Sequence, residues 1–157
     1  MAKEIERKYL VISQTYRETY IDKFDIKQGY INLSRKCTVR VRVKGNQAFI
    51  TVKGLTDGCE RDEWEYPIPM TDAAEMLERV AVGGLISKTR YVVEHGGLKW
   101  EIDEFHDQLE GLVVAELELP SADFKIPVFP DFIGKDVTGD ERYYNSSLAT
   151  NLTTFST

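Results

Sequence analysis

Charged side chains recur at alternate positions along this sequence, and their types and spacing point to ion chemistry. Residues 4–8 read E-I-E-R-K, and residues 38–44 read T-V-R-V-R-V-K. The shorter runs E-W-E at 63–65, K-T-R at 88–90 and E-L-E at 116–118 repeat the alternation. Because side chains two apart on a β-strand share one face, each run places its charges on one face and its apolar residues on the other.

The charged faces carry both signs, and each sign suits a different ligand. The carboxylates are Glu4, Glu6, Glu63, Glu65, Glu101, Asp103, Glu116 and Glu118, and the cations are Lys8, Arg40, Arg42, Lys53, Lys88 and Arg90. Guanidinium groups bind phosphate oxygens in bidentate fashion, and lysine ammonium groups act as point charges. Carboxylates bind Mg²⁺ or Mn²⁺, which commonly bridge to substrate phosphates. The pattern therefore favours a polyphosphate held by cations on one wall and by a divalent metal on the other.

A closed sheet with its charged faces turned inward accounts best for this pattern. Burying an unpaired ion is costly, so such a lining must be wet, mutually paired or matched to bound ions. Mutual pairing without a ligand, and an open sheet with a solvated charged side, are the simpler alternatives. The sequence predicts an α+β fold in which an eight-stranded antiparallel β-barrel forms a tunnel with a charged interior. Helices packed outside, or a second copy of the chain in a homodimer, would cover the outward apolar residues.

Eight segments have the composition and alternation of strands. They are residues 4–12, 25–33, 38–44, 47–53, 61–67, 86–93, 98–105 and 112–119. Gly45 and Gly96 begin two-residue turn signals between flanking strands, which favours antiparallel hairpins. The proline-containing stretch that follows the eighth strand is expected to form short helical turns near 122–124 and 131–134.

One helix is predicted between the fifth and sixth strands. Asp72 is its expected N-cap, because Glu75 stands three positions later and completes a capping box. Gly83 is the expected end of the helix. The apolar stripe of this helix comprises Ala73, Met76, Leu77, Val80 and Ala81.

A second helix is predicted near the end of the chain. Thr138 and Glu141 form a capping box for a helix that continues to about Ala149. The length of 157 residues suits one domain, and no linker-like segment divides it. We therefore predict a single domain over residues 1–150 and a frayed tail over residues 151–157.

Composition bounds the partners and the compartment. The net charge of -6 and pI of about 5.0 argue against nucleic acid, because phosphate backbones select basic surfaces. No apolar run approaches the ~18 residues of a membrane span, so no membrane partner is expected. The chain begins directly with strand material and without a signal peptide, which predicts a cytoplasmic protein.

The cysteines and histidines carry little functional signal. Cys37 and Cys59 are too few and too isolated for a disulfide framework or a zinc site. Free thiols are expected for both in the predicted compartment. His95 beside a turn and His106 at a strand end are expected to be surface residues.

The charged motifs resemble a known family in order and spacing. Together with T-V-K at 51–53 and E-I-D at 101–103, they resemble the CYTH superfamily, the triphosphate tunnel metalloenzymes. The resemblance covers seven motifs over most of the chain and implies an eight-stranded antiparallel tunnel. It also implies a divalent-metal-dependent enzyme with a triphosphate substrate. The short length and D-E-R-Y-Y-N at 140–145 are most similar to bacterial members that hydrolyse inorganic tripolyphosphate to pyrophosphate and phosphate.

The resemblance implies a role for each matching residue. The implied substrate-binding residues are Lys8, Arg40, Arg42, Lys53, Lys88, Arg90 and, on the final helix at one tunnel mouth, Arg142. The implied metal ligands are Glu4, Glu6, Glu63, Glu65, Asp103, Glu116 and Glu118, of which Glu63 and Glu65 alternatively orient the cations. The implied catalytic residues are Glu4, Glu6, Lys8 and Lys88, with Glu4 or Glu6 as the proton acceptor.

Three other functions are compatible with the same motifs. A class IV-type adenylate cyclase would need a site for adenine, and a thiamine triphosphatase would need a pocket for the organic group. A non-catalytic polyphosphate-binding module is the alternative from a different class. Turnover of the individual substrates, and its metal dependence, would separate these alternatives.

Overall fold

The computed structural model of the protein describes residues 3–34 and 36–155, and its framework is a closed β-barrel. The strands are β1 (Lys3–Val11), β2 (Asp22–Leu33), β3 (Thr38–Lys44), β4 (Gln47–Lys53), β5 (Glu60–Ile68), β6 (Val82–His95), β7 (Leu98–Phe105), β8 (Val113–Glu118) and β9 (Ile133–Asp136). The helices are α1 (Tyr16–Thr19), α2 (Met70–Arg79) and α3 (Asn145–Phe155). Neighbouring strands pair in the order β5-β4-β3-β2-β6-β7-β8-β1, and β1 returns to β5. The predicted eight-stranded antiparallel barrel is confirmed.

Three of the strand predictions match the structure at both ends. β3 and β4 form a hairpin in which Lys44 pairs with Gln47. β6 and β7 form a similar hairpin. Gly45 has a φ of 58°, a conformation that glycine adopts without the steric cost of a Cβ atom. The turn signals therefore fix the register of these hairpins, and with it the face on which each charged side chain lies.

β1 closes the barrel by pairing with three different strands. Residues 3–5 pair with β5 and residues 6–10 pair with β8. Tyr9 and Val11 pair with β9, which extends the sheet beside the closure. The first motif of the sequence, E-I-E-R-K, thus lies at the seam of the barrel.

β9 is a strand that the sequence analysis did not predict. A helical turn was expected at 131–134, within the stretch that prolines interrupt, and the four residues of β9, I-G-K-D, are too few to show the alternation of a strand. Gly134 permits the pairing, since a Cβ atom there would lie 2.5 Å from Ile12 Cγ2 and 3.1 Å from Leu10 O. β9 forms because its backbone can approach the backbone of β1 closely, and no local sequence pattern indicates that contact.

The main apolar core lies outside the barrel. Tyr9, Trp100 and Leu117 face outward from β1, β7 and β8, and the segment that contains Phe132 covers them. Tyr16 of α1 is fully buried in the same cluster. The outward half of the alternating pattern is therefore buried by the chain's own loops and by α1, a short helix that was not predicted.

α2 also covers the outside of the barrel, although its ends differ from the prediction. Ala73 and Leu77 pack on Val41 and Ala48 of the β3–β4 hairpin. The helix begins at Met70 with Pro69 as the N-cap residue, so Asp72 lies in the first turn. A carboxylate there still interacts favourably with the positive end of the helix dipole. The predicted end at Gly83 is wrong as well, because the helix ends at Arg79 and β6 begins at Val82.

α3 lies at one end of the barrel and not on its outer surface. Leu148 and Ala149 pack against Tyr30, Ile86 and Phe105. Ile86 and Phe105 share the strand faces of the inward charged residues, two positions from Lys88 and Asp103 respectively. The predicted position of the helices outside the barrel therefore holds for α2, whereas α3 closes one end of the interior.

The predicted capping box before α3 does not form. The Thr138 hydroxyl accepts a hydrogen bond from the backbone N–H of Lys8 at 2.8 Å, and Glu141 lies in a 3₁₀ turn that ends before the helix. The helix runs from Asn145 to Phe155, beyond the predicted domain limit at residue 150. Ser156 and Thr157 of the predicted tail lie outside the described residues. Of the helices that the structure describes, none has the length and apolar character that crossing a bilayer requires.

Candidate functional site

Most of the predicted site residues meet inside the barrel. Seven of them line one cavity of about 60 Å³, namely Glu4, Glu6, Lys8, Arg40, Arg42, Lys53 and Glu116. The cavity is also lined by residues that were not predicted, among them Tyr30, Arg61, Thr138, Tyr144 and Asn145. Because the volume is small, the charged side chains meet across the interior, and a bound polyphosphate must displace some of their mutual contacts.

Asp103 organises one group of cations. Lys88 Nζ lies 2.7 Å from Asp103 Oδ2, and both side chains are almost fully buried. Arg90, the cross-strand partner of Asp103, donates hydrogen bonds to both carboxylate oxygens at 2.7 and 2.9 Å. Burial would raise the pKa of Asp103, but the charges of Arg90 and Lys88 lower it. Both oxygens of Asp103 are thus engaged by cations, which differs from its predicted place among the metal ligands.

Burial also lowers the pKa of two of the cations, Lys88 and Arg42. The pKa of Lys88 falls to about 7, because burial and the neighbouring guanidinium groups outweigh the attraction of Asp103. The pKa of Arg42 falls to about 9, owing to burial and to repulsion from Arg40 and Arg90. Among the described residues, Arg40 Nε is buried and has no hydrogen-bond partner. A group of crowded cations with an unused donor is well suited to bind an anion with several oxygens.

Lys53 belongs to a second, predominantly acidic group beside the seam. Its ammonium group lies 2.8 Å from Glu4 Oε2 and 3.4 Å from Glu63 Oε2. Arg61 Nε lies 3.8 Å from the same Glu4 oxygen. The contact with Lys53 is an ion pair by distance, yet within the described part of the chain Glu4 Oε2 has no hydrogen bond of acceptable geometry.

The neighbouring carboxyl groups perturb each other strongly. Burial and the charges of Glu116 and Glu4 raise the pKa of Glu6 well above its ordinary value. Burial and a hydrogen bond with Glu4 raise the pKa of Glu63 to about 7. The pKa of Glu4 is lowered despite its burial, because Lys53 and the two neighbouring carboxyl groups stabilise the anion. Protons on Glu6 and Glu63 therefore relieve a repulsion that a cation would also relieve.

This donor set fits a hard divalent cation, although the side chains would have to rearrange around it. Across residues 3–34 and 36–155, no three Asp, Glu, His or Cys side chains converge as a ready-made metal site. The crowding of Glu4, Glu6 and Glu63, and the unsatisfied Glu4 oxygen, nevertheless supply the oxygen ligands that Mg²⁺ and Mn²⁺ prefer. The acidic group therefore fits a divalent metal by its chemistry.

Glu65, Glu118 and Arg142, three of the predicted site residues, do not line the cavity. Glu65 accepts a hydrogen bond from the Thr51 hydroxyl at 2.7 Å and lies 3.5 Å from Arg40. Glu118 is exposed at the end of β8, opposite Glu6. Arg142 does not line the cavity: its side chain is 76% exposed and pairs with Asp140 at 2.7 Å. Its position differs from the prediction because residues 141–143 form a 3₁₀ turn outside the barrel.

Two amide side chains of the site were missed by the sequence analysis. Gln28 is fully buried and accepts a hydrogen bond from Arg42 Nε at 2.8 Å. Asn145, the first residue of α3, accepts hydrogen bonds from Lys88 Nζ at 3.0 Å and from Gln28 Nε2 at 3.2 Å. Gln28 was detectable as the residue two positions before Tyr30 on an inward strand face. Asn145 is the last residue of the D-E-R-Y-Y-N motif, but its contact with Lys88 was not predicted, because that contact depends on where α3 meets the barrel.

The structure also tests the predictions for the cysteines and histidines. Cys37 and Cys59 are free thiols, as predicted. His95 and His106 are half-buried and not fully on the surface, and His106 Nε2 lies 2.6 Å from the Thr89 hydroxyl.

The barrel and its lining identify the family. The family model of the CYTH domain matches residues 2–129, and the chain belongs to the CYTH family. An inorganic triphosphatase of Acetivibrio thermocellus is 44% identical over 153 residues, which cover 96% of this chain and 96% of that protein. An inorganic triphosphatase of Nitrosomonas europaea is 34% identical and covers 95% of this chain and 98% of its own length. The crystal structure of the inorganic triphosphatase NE1496 matches with a TM-score of 0.68 and 32% identity, over 96% of both chains.

Proposed function

We propose that this protein hydrolyses inorganic tripolyphosphate to pyrophosphate and phosphate, with Mg²⁺ or Mn²⁺ as the cofactor. The observation that carries the proposal is the placement of buried cations directly beside crowded carboxyl groups inside one closed barrel. The names of the two relatives, each matched over at least 95% of both chains, agree with this activity.

The cations of the barrel bind and orient the substrate. Arg40 and Arg42 present guanidinium groups to the phosphate oxygens, and Arg40 Nε is an unused donor among the described residues. Lys8 and Lys53 line the same cavity, so they add charge along a linear polyanion. Lys88 and Arg90, held by Asp103, extend the positive surface deeper into the barrel. Phosphoryl transfer needs chiefly such positioning and neutralisation of charge.

The acidic group would hold the metal. Glu4, Glu6, Glu63 and Glu116 are the residues that would bind it: Glu4, Glu6 and Glu116 line the cavity, and Glu63 lies beside Glu4, where both contact Lys53. A bound divalent ion neutralises phosphate charge and lowers the pKa of a coordinated water molecule. Glu4, or Glu6 once a bound cation has displaced its proton, would accept the proton of the attacking water, and Lys53 would then be released from Glu4 to bind phosphate. Lys8 and Lys88 stabilise the charge that develops on the phosphate oxygens.

Hydrolysis of an organic triphosphate is the second candidate, and one observation favours it. A larger cavity of about 280 Å³ adjoins the first and shares Thr56, Arg61, Tyr144 and Ser146 with it. Leu55 and the ring of Tyr144 give this cavity an apolar part. An organic group attached to a terminal phosphate would fit there while the phosphates remain in the barrel.

Phosphate release provides the test of both candidates. The purified protein is incubated with tripolyphosphate, ATP or thiamine triphosphate, each with Mg²⁺, Mn²⁺ or EDTA. We expect the highest kcat/KM for tripolyphosphate with a divalent metal. A higher kcat/KM for an organic triphosphate would favour the second candidate, and metal-dependent binding without turnover of any substrate would favour a binding module.

We also infer a cytoplasmic location and a homodimer. Trp64 is 38% exposed and Tyr66 is 61% exposed on the outer face of β5, and two such aromatic rings suit an interface between copies. Sedimentation at several protein concentrations, with a Trp64→Ser, Tyr66→Ser double variant, tests the homodimer.

A further inference from the structure

The C-terminal segment contributes two neutral hydrogen-bond acceptors to the lysines inside the barrel. Lys8 Nζ donates to the backbone carbonyl of Tyr143 at 3.1 Å, and Lys88 Nζ donates to Asn145 Oδ1 at 3.0 Å. On its other side each lysine contacts a carboxylate. Lys8 Nζ lies 3.6 Å from Glu116 Oε1, and Lys88 Nζ lies 2.7 Å from Asp103 Oδ2.

Asn145 also connects Lys88 to an arginine on the opposite side of the network. Gln28 donates through Nε2 to Asn145 Oδ1 at 3.2 Å and accepts through Oε1 from Arg42 Nε at 2.8 Å. Gln28 and Lys88 are both fully buried. Two amide side chains therefore connect Lys88 and Arg42 through hydrogen bonds.

The neutrality of these acceptors is their important property. An ammonium group has three donors and needs several partners when it is buried. A carboxylate partner satisfies a donor but also cancels the charge, whereas an amide oxygen satisfies the donor and leaves the charge available to a phosphate. Asp103 already pairs with Lys88 and Arg90, so a second carboxylate in place of the amide would offset the positive charge that these two cations present to the substrate.

We propose that Asn145 is a positioning residue that holds Lys88, and through Gln28 also Arg42, without cancelling their charge. The inference rests on the proposed hydrolysis of tripolyphosphate and assigns to the first residue of α3 a part in that reaction. It implies that α3 does more than close the end of the barrel, since it supplies one wall of the phosphate site.

Two substitutions at Asn145 separate this role from simple filling of space. Asn145→Asp is nearly isosteric and keeps an oxygen that accepts from both Lys88 and Gln28, but it adds a negative charge. Asn145→Ala removes the acceptor and adds no charge. If the amide only supports the fold, the aspartate variant is the closer to the native protein in activity. If its neutrality matters, the aspartate variant is the less active of the two.

The measurements are kcat and KM for tripolyphosphate, with the melting temperature of each variant. Asn151→Ala is the matched control, because Asn151 is exposed on the same helix. We expect Asn145→Asp to raise KM by about tenfold or more, Asn145→Ala to raise it less, and Asn151→Ala to leave both constants unchanged. We also expect Asn145→Asp to melt at least as high as Asn145→Ala, so that its greater loss of activity does not follow its stability.

The outcomes distinguish this inference from the proposed function. If the native protein does not hydrolyse tripolyphosphate, the proposed function is contradicted. A native protein that is active, together with an Asn145→Asp variant that equals it or exceeds Asn145→Ala in kcat/KM, overturns the positioning role alone. If Asn145→Ala does not fold, the comparison of Asn145→Asp with the native protein decides, and native activity in that variant counts against the inference.

Discussion

Lys53 and Glu4 form an ion pair across the seam of the barrel, with Nζ 2.8 Å from Oε2 although β5 separates their strands. The pair joins the two kinds of side chain that the proposed reaction uses separately, a cation for phosphate and a carboxylate for metal. Binding of metal and substrate must therefore break this contact, after which Glu4 would contact the metal and Lys53 would contact the phosphate. The free energy of binding includes the loss of the Lys53–Glu4 ion pair and the gain of the new contacts, because each of these buried charges is costly to leave unpaired.

Metal removal tests the acidic half of the exchange. With EDTA we expect no turnover of tripolyphosphate, since Glu4 and the carboxyl groups beside it would face a polyanion without a cation between them. Added Mg²⁺ or Mn²⁺ should restore the activity. Phosphate release measured before and after metal addition checks this, and full activity in the chelator would contradict a metal-dependent mechanism.

Replacement of one arginine tests the cationic half. Arg40→Ala removes a buried charged donor group, and we expect a loss of about 1.5 to 3 kcal/mol in kcat/KM for tripolyphosphate. Arg79→Ala is the matched control, because Arg79 is 69% exposed on α2, which packs on the outside of the barrel. Unchanged kinetic constants in Arg40→Ala would show that this residue does not contact the substrate.

Glu116 should affect the metal more than the substrate. Its carboxylate lines the cavity and raises the pKa of Glu6, so it belongs to the group that would bind a divalent ion. We expect Glu116→Gln to require a several-fold higher Mg²⁺ or Mn²⁺ concentration for half-maximal rate, with a smaller change in KM at saturating metal. Glu78→Gln, an exposed position on α2, serves as the control. Identical metal titrations for Glu116→Gln and the native protein would remove Glu116 from the metal site.

Ligand binding should stabilise the barrel. A ligand that binds only the folded state contributes about 2.7 kcal/mol at a hundredfold excess over its dissociation constant. We expect tripolyphosphate with Ca²⁺, used as a non-catalytic ion, to raise the melting temperature by several degrees, and pyrophosphate to raise it less because it spans fewer cations. An equal shift with monophosphate would indicate a general effect of anions on a charged surface.

Glu104 should contribute a pH-dependent part of the stability. Burial alone would raise its pKa, but hydrogen bonds from Arg17 and Tyr16 lower it below the ordinary value of 4.5. A depressed pKa stabilises the folded state above the unfolded-state pKa, and that contribution is lost as the pH falls through the folded-state pKa. Glu104→Gln should therefore cost about 1 kcal/mol, or about 2 to 4 °C in melting temperature, at pH 7 and less below about pH 4.5.

The control for this prediction is Glu110→Gln, whose side chain is exposed. Melting curves of the three proteins between pH 3 and pH 8 give the comparison. A difference between Glu104→Gln and the native protein that widened in acid would mean that the carboxylate of Glu104 is not the stabilising form.

The strands were predictable where alternation and turns agree. β3 and β4 match at both ends because Gly45 lies in the turn between them and every charged residue keeps its two-residue spacing. The same alternation assigned the charged faces to the interior, and the family resemblance rested on those faces. Local pattern was sufficient here because a strand's faces are fixed by its own period.

The helix ends and the C-terminal part of the site were less predictable, since tertiary contacts decide them. Thr138 has the sequence of a helix cap, but its hydroxyl bonds the backbone of Lys8 on β1. The contact between Asn145 and Lys88 depends on the position of α3, which the sequence does not reveal. Arg142 belongs to a motif that the family resemblance uses, yet Asp140, two residues away, holds its side chain outside the cavity.

The three-way pairing of β1 has a consequence for how the chain reaches this structure. Glu6 pairs with Glu118, 112 positions further along, so β1 cannot complete its pairing until β8 has been synthesised. Contacts of such long range slow folding, because the entropy of closing the loop is lost before the contact is gained. While the chain is being made, β1 has exposed edges that can pair with another molecule. Deletion of residues from 113 onward, which removes β8, should therefore leave this edge of β1 unpaired and impair solubility and yield, even though seven of the eight barrel strands remain.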